Sequence, residues 1–183
     1  VIGYENYLML DCWMAFDVDY TVQLAERLKK YKLYWIEECL LSENLEGHIE
    51  LRNRLPWQTL TTGEHWYTHY PFMWAIKNNV VDILQPDITQ SGGIFEAKKI
   101  ASTAESYSIM IAPHNVGGIV STMAALHLCL TLRNFKILEH FNDFADLHIK
   151  KAGTGYPEVV GGYFPLPEKP GWGIDLDEDF IAN

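Results

Sequence analysis

Six ionisable side chains recur along the chain at nearly equal intervals: Asp11, Glu37, Glu64, Asp87, His114 and Glu139. The steps between them are 26, 27, 23, 27 and 25 residues. Each closes a short β-rich run. Acidic residues also cap helices, but a carboxylate or histidine at every equivalent point of a repeat asks for a common purpose. Five carboxylates sharing one mouth repel one another and must be protonated, paired or neutralised by a cation. A hard divalent ion with oxygen ligands is the simplest solution, and Mg²⁺ uses a few carboxylates while leaving positions for substrate. Asp11, Glu37 and Glu64 close three successive runs and form the expected metal set. Glu38 adjoins Glu37, and the 26-residue step favours Glu37.

The elements that must position these groups follow the same period. The runs are Tyr7-Leu8-Met9-Leu10, Leu33-Tyr34-Trp35-Ile36, Gln58-Thr59-Leu60-Thr61-Thr62, Val81-Asp82-Ile83-Leu84-Gln85-Pro86, Ile109-Met110-Ile111-Ala112-Pro113 and Phe135-Lys136-Ile137-Leu138. Between the first two, Val18, Leu24, Ala25 and Leu28 recur at helical steps, with Glu26, Arg27, Lys29 and Lys30 on the other face. Ile94, Ala97, Ile100, Ala101 and Ala104 do the same after Ser91-Gly92-Gly93, and Val120, Met123, Ala124, Leu126, His127 and Leu130 form a more apolar helix. Apolar strands alternating with helices predict a parallel sheet covered by helices.

The constant period suits a (β/α) barrel, whereas a doubly wound dinucleotide fold wants a Gly-rich turn after its first strand, and Asp11-Cys12-Trp13-Met14 is not one. The expected fold is therefore α/β, the C-terminal six βα units of a (β/α)7β TIM-like barrel. The first strands are then expected to precede Val1. An open six-stranded α/β domain is the alternative. Residues 1–142 read as a partial barrel carrying the chemistry. Residues 143–183, with six glycines and four prolines, read as a tail of turns and short strands (Tyr163-Phe164, Trp172).

Composition narrows the partners. Fourteen Lys and Arg against 24 Asp and Glu give a net charge of −10 over 183 residues, which argues against nucleic acid or an anionic membrane. No apolar run approaches the length of a membrane span. Cys12, Cys39 and Cys129 are odd in number and widely spaced, so neither a disulfide framework nor a zinc site is expected, and a reducing cytoplasm is the default. Cys12 and Cys39 read as small packing residues. His48, His69, His127 and His148 show no convergent partners, and Trp66, Tyr67, Tyr70, Phe72 and Trp74 read as packing.

The motifs Leu8-Met9-Leu10-Asp11-Cys12-Trp13-Met14, Trp35-Ile36-Glu37-Glu38-Cys39-Leu40, Gly63-Glu64-His65, Gln85-Pro86-Asp87, Pro113-His114-Asn115 and Leu138-Glu139-His140, in this order, resemble the mandelate racemase subgroup of the enolase superfamily. Within it they are most similar to sugar-acid dehydratases of the rhamnonate, gluconate and galactonate type. The resemblance implies an N-terminal capping domain, absent from this chain, on which or on the barrel the tail packs. It implies Mg²⁺ at Asp11, Glu37 and Glu64, His114 as the base with Asp87 orienting its ring, and Glu139 hydrogen-bonding the substrate carboxylate. His65, Trp13 and Asn115 are then candidate substrate contacts, His65 facing either substrate or barrel wall. Some related dehydratases carry an acidic His where this chain has Trp13, which favours the pattern in which His114 serves both steps. The implied activity is dehydration of an aldonate to a 2-keto-3-deoxy acid by a cytoplasmic homo-oligomer. A racemase or epimerase of a 2-hydroxy acid shares the first step, and a non-catalytic remnant would predict a decayed metal set.

Overall fold

A computed structural model describes residues 3–141 and 150–182. The expected boundary at 142/143, the first tail residues and His148 lie outside the described residues. Five short strands form one parallel sheet in sequential order: β1 (Met9–Asp11), β2 (Trp35–Glu37), β3 (Leu60–Thr62), β4 (Ile83–Leu84) and β5 (Met110–Ile111). Helices follow each strand: α1 (Val18–Leu28), α2 (Leu45–Arg54), α3 (Tyr70–Asn78), α4 (Ile94–Ser106) and α5 (Ile119–Cys129). The sixth expected strand is not a regular one. It runs parallel to β5 as an extended segment, held by Ile111 N–H to Asn134 O at 2.8 Å, Lys136 N–H to Ile111 O at 2.8 Å and Glu139 N–H to Pro113 O at 3.2 Å.

Local chemistry explains the helix ends. The Asp17 carboxylate accepts from Tyr20 N–H at 2.7 Å and caps α1, and the Asn44 side chain accepts from Gly47 N–H at 3.0 Å and caps α2. Pro71 opens α3, and left-handed Asn79 closes it. The Ser91-Gly92-Gly93 helix start is as expected, with Gly93 at φ 92° before α4.

Side chains alternate across the strands, and the two faces have separate cores. Ile36 packs outward with Ala25, Leu40, Leu51 and Leu60 beneath α1 and α2. Trp35 packs inward with Ile83 and Ala112, and with Met9 and Met110 at the margin. The registers Asp11↔Glu37, Glu37↔Thr61, Thr62↔Leu84 and Leu84↔Ile111 keep the strand ends level. The sheet curls far enough that Met9 and Asp11 of β1 line the same cavity, about 170 Å³, as Ile137, Leu138 and Glu139 from the last segment. That curvature belongs to a barrel wall and not to an open sheet. In the tail, β6 (Gly153–Thr154) pairs antiparallel with β7 (Asp175–Leu176), followed by α6 (Glu178–Ala182). Tyr163 forms only an isolated bridge with Val160, and Trp172 lies in the turn before β7 rather than in a strand. No helix of the described residues is long and apolar enough to cross a membrane.

Candidate active site

The loop after β4 is built to present one carboxylate oxygen. Asp87 Oδ1 accepts from the Thr89 amide at 2.6 Å, the Gln90 amide at 3.2 Å and the Thr89 hydroxyl. Oδ2 is left for the ring Nδ1 of His114, 2.7 Å away. Burial works against the Asp87 charge, but the bonds from His114 and Thr89 outweigh it and hold the carboxyl below the usual range. Burial also disfavours a charged His114, yet the bond to Asp87 and the negative charges of Glu139 and Glu64 raise its pKa to about 9. With Nδ1 occupied, Nε2 faces the mouth, 3.5 Å from Glu64 Oε2 and 3.8 Å from Glu139 Oε2.

Three buried carboxyls crowd the ends of β2 and β3. Burial pushes Glu37 up to about 7; a hydrogen bond from Gln85 opposes the rise, and repulsion from Asp11, Glu139 and Glu64 adds to it. Glu38, 1% exposed, is raised by burial to about 7, with a hydrogen bond to Glu64 opposing and Glu37 and Asp11 repelling. Burial likewise raises Glu64 to about 7 against the charge of His114. Acidic side chains in this state are hungry for a cation.

The expected set Asp11, Glu37 and Glu64 shares one field, since Glu37 feels both partners. Among the described residues, however, the tight donor cluster is Glu38, Glu64 and His65, whose ligand atoms lie within 4.8 Å of one another. Glu37 turns into the barrel, where its Oε2 accepts from the Trp35 indole N–H at 3.0 Å. Sequence spacing ranks Glu37 above Glu38 and gives Glu38 no role; the structure puts both at the mouth. The donor set, all oxygen apart from one imidazole, with Glu38 and Glu64 buried and His65 half-buried, fits a hard divalent ion.

Gly63 brings Glu64 to this place. Its φ is 135°, and a Cβ there would come 2.8 Å from the Phe72 ring, so only glycine makes the turn out of β3. Non-glycine residues in the left-handed region sit at the two neighbouring turns, Trp13 at φ 43°, Met14 at 61° and Glu38 at 44°.

The candidate substrate contacts divide. His65 Nδ1 lies 2.9 and 3.0 Å from the Glu38 oxygens, which makes a second imidazole–carboxylate pair at the mouth. Trp13 is 66% exposed and meets the His65 ring edge-on at 6.3 Å. Asn115 is different. It is buried, its side-chain amide donates to Thr122 Oγ1 and Glu139 O, and its backbone N–H donates to Glu139 Oε2 at 3.1 Å. Asn115 therefore positions Glu139 from behind. Sequence reasoning also missed Gln85, whose Oε1 accepts from Thr61 Oγ1 at 2.5 Å while its amide serves Glu37; the signal was its inward parity with Ile83. His69, expected to lack a partner, pairs with Glu96 on α4. His48 is bonded to Asn44 O at 2.8 Å.

A barrel wall with acids and one oriented imidazole at its strand ends defines a class of enzyme domain, and residues 1–180 match the enolase C-terminal domain-like family. The chain belongs to that family. It is 36% identical over 188 residues to an L-rhamnonate dehydratase of Saccharopolyspora erythraea, an alignment covering 97% of this chain and 46% of that protein. Among solved structures it is similar to a mandelate racemase/muconate lactonizing enzyme-like protein from Rubrobacter xylanophilus DSM 9941, with TM-score 0.90, 33% identity and coverage of 99% of this chain and 46% of that one. It is also similar to the 3,6-anhydro-D-galactonate cycloisomerase from Zobellia galactanivorans, with TM-score 0.89, 30% identity and coverage of 99% and 51%. The chain thus spans about half the length of the curated relative it matches.

Proposed function

We propose that the complete protein is a Mg²⁺-dependent sugar-acid dehydratase, converting an aldonate to a 2-keto-3-deoxy acid. The observation that carries this is the His114–Asp87 pair, with its free ring nitrogen aimed at the acid-lined mouth. The ion would be held by Asp11, Glu37 and Glu64, with Glu38 beside them. Mg²⁺ supplies there the charge stabilisation that a carboxylate substrate needs when its α-proton leaves.

The chain's own residues carry the rest. His114, once deprotonated at Nε2, accepts the α-proton there while Asp87 holds Nδ1–H and steadies the imidazolium. Glu139, fixed by the Asn115 amide and 3.8 Å from His114 Nε2, would hydrogen-bond the bound substrate at its carboxylate. His114 then returns its proton to the β-hydroxyl, which departs as water from the same face. The enol so formed becomes the 2-keto product.

One observation favours a second reading. The His65–Glu38 pair adds a second imidazole–carboxylate pair at the mouth, and a racemase or epimerase of a 2-hydroxy acid needs a second base besides His114. A panel of five- and six-carbon aldonates, incubated with the full-length protein and Mg²⁺ and assayed with semicarbazide for 2-keto-3-deoxy acids, separates the two. Product supports dehydration. Exchange of the α-hydrogen with D₂O without elimination supports the second reading.

A further inference from the structure

We propose that Cys12 and Cys39 are an oxidant-responsive thiol pair, coupled by a small peroxide into a disulfide that ties the loop after β1 to the loop after β2. The two sulfurs are 3.8 Å apart, although the residues are 27 positions apart in sequence. The surrounding backbone already fixes their approach: Cys12 N–H donates to Glu37 O at 3.0 Å, Met14 N–H to Glu38 O at 2.6 Å and Phe16 N–H to Cys39 O at 3.0 Å. A disulfide bond of about 2.05 Å then asks for a further approach of about 2 Å, shared between two side chains. Both thiols are buried, 5% and 4% exposed, in the apolar layer with Ala25, Ile36, Leu40 and Leu51. A disulfide is uncharged, so this layer accepts the oxidised form without burying a charge.

Contact with the Cys12 sulfur and burial raise the Cys39 thiol above its usual range, so the coupling is slow, and burial restricts it to a small oxidant. A bulky disulfide such as oxidised glutathione needs an exposed sulfur, whereas hydrogen peroxide is little larger than water. One cysteine sulfur attacks a peroxide oxygen; the O–O bond breaks, and the leaving hydroxide takes up the thiol proton as water. The sulfenic acid so formed is attacked by the other sulfur; the S–O bond breaks, the S–S bond forms, and a second water leaves with the remaining proton. Two thiols lose two electrons and one peroxide becomes two waters. Asp11 precedes Cys12 directly and Glu37 lies two residues before Cys39, so the bond locks together the two backbones that carry those carboxylates. The coupling depends on thiol geometry, whatever the substrate of the enzyme.

The test uses the folded full-length protein with Mg²⁺, exposed to hydrogen peroxide, then denatured, alkylated with N-ethylmaleimide and digested without reductant. Mass spectrometry is expected to find the Cys12 and Cys39 peptides joined, lighter than their sum by two hydrogens and separated by dithiothreitol, with Cys129 alkylated. Cys12→Ser and Cys39→Ser each remove the joined species, and Cys129→Ser retains it. Alkylation of both thiols after a peroxide dose that oxidises methionines in the same sample overturns the proposal. So does sulfinic acid at either position, or a bond to Cys129.

Discussion

Nδ1 of His114 stands 2.7 Å from Oδ2 of Asp87, and the opposite ring nitrogen stands 3.5 Å from Oε2 of Glu64. An imidazole held this way has one nitrogen committed to a carboxylate and the other free to move a proton. Replacing His114 with Asn removes the base and is expected to lower turnover by at least about 10²–10⁴-fold, the usual worth of a positioned acid–base group. Asp87→Asn keeps the shape but favours the wrong tautomer, so kcat falls while KM changes little. Steady-state kinetics of the two variants check this; an Asp87→Asn enzyme with unchanged kcat contradicts the pairing.

The charge state of the mouth makes the metal-free protein sensitive to pH. Glu37, Glu38 and Glu64 hold folded pKa values of about 7 against an ordinary 4.5. Between those values the folded carboxyls keep protons that the unfolded chain has released, so stability falls as pH rises. His114, raised to about 9 from 6.5, stabilises fully below its ordinary value and loses that contribution as pH climbs through the folded one. Both effects have the same sign. The metal-free protein therefore melts higher at about pH 5.5 than at about pH 8.5, and Mg²⁺ raises Tm more at the higher pH, where the carboxylates are ionised. Differential scanning calorimetry with and without Mg²⁺ reads both; a Tm that rises with pH in chelator contradicts this electrostatic account.

The Trp35 indole N–H donates to the buried Glu37 carboxylate at 3.0 Å. Trp35→Phe leaves that oxygen short of a donor inside the barrel, at an expected cost of about 1–3 kcal/mol. Urea unfolding of the full-length protein measures it. The cost should shrink toward about pH 5, where Glu37 is protonated in both variants. A cost independent of pH assigns the loss to packing instead.

Gly63→Ala tests the turn that delivers Glu64. The φ of 135° and the 2.8 Å approach to Phe72 leave no room for a methyl group, so a loss of about 1–3 kcal/mol is expected. Mg²⁺ affinity, read by isothermal titration calorimetry, should weaken with it, because Glu64 is displaced from the mouth. Undiminished Mg²⁺ binding by a folded variant removes Glu64 from the metal set.

The parallel sheet and the six strand-end groups were legible because apolar runs, turns and ionisable residues share one period, and a repeat is a property of sequence. Side-chain direction is not. Glu37 and Glu38 differ by one residue, and only the left-handed turn at Glu38 shows that both reach the mouth. Asn115 reads as a substrate contact beside His114 until Thr122 and Glu139 are seen to occupy its amide. The pairing of Cys12 with Cys39 and of His69 with Glu96 depends on loop geometry between different strands, which no local pattern encodes. The segment from Phe135 to Leu138 has strand composition but only partial strand pairing, since it meets β5 on one side.

The most direct test of the central claim is formation of a 2-keto-3-deoxy acid from an aldonate panel by the full-length protein with Mg²⁺, run beside His114→Asn. Semicarbazone formation with one or two aldonates, lost in His114→Asn and in excess chelator, is the predicted result. Product formation that survives His114→Asn, or a panel without product and without exchange of the α-hydrogen in D₂O, contradicts it.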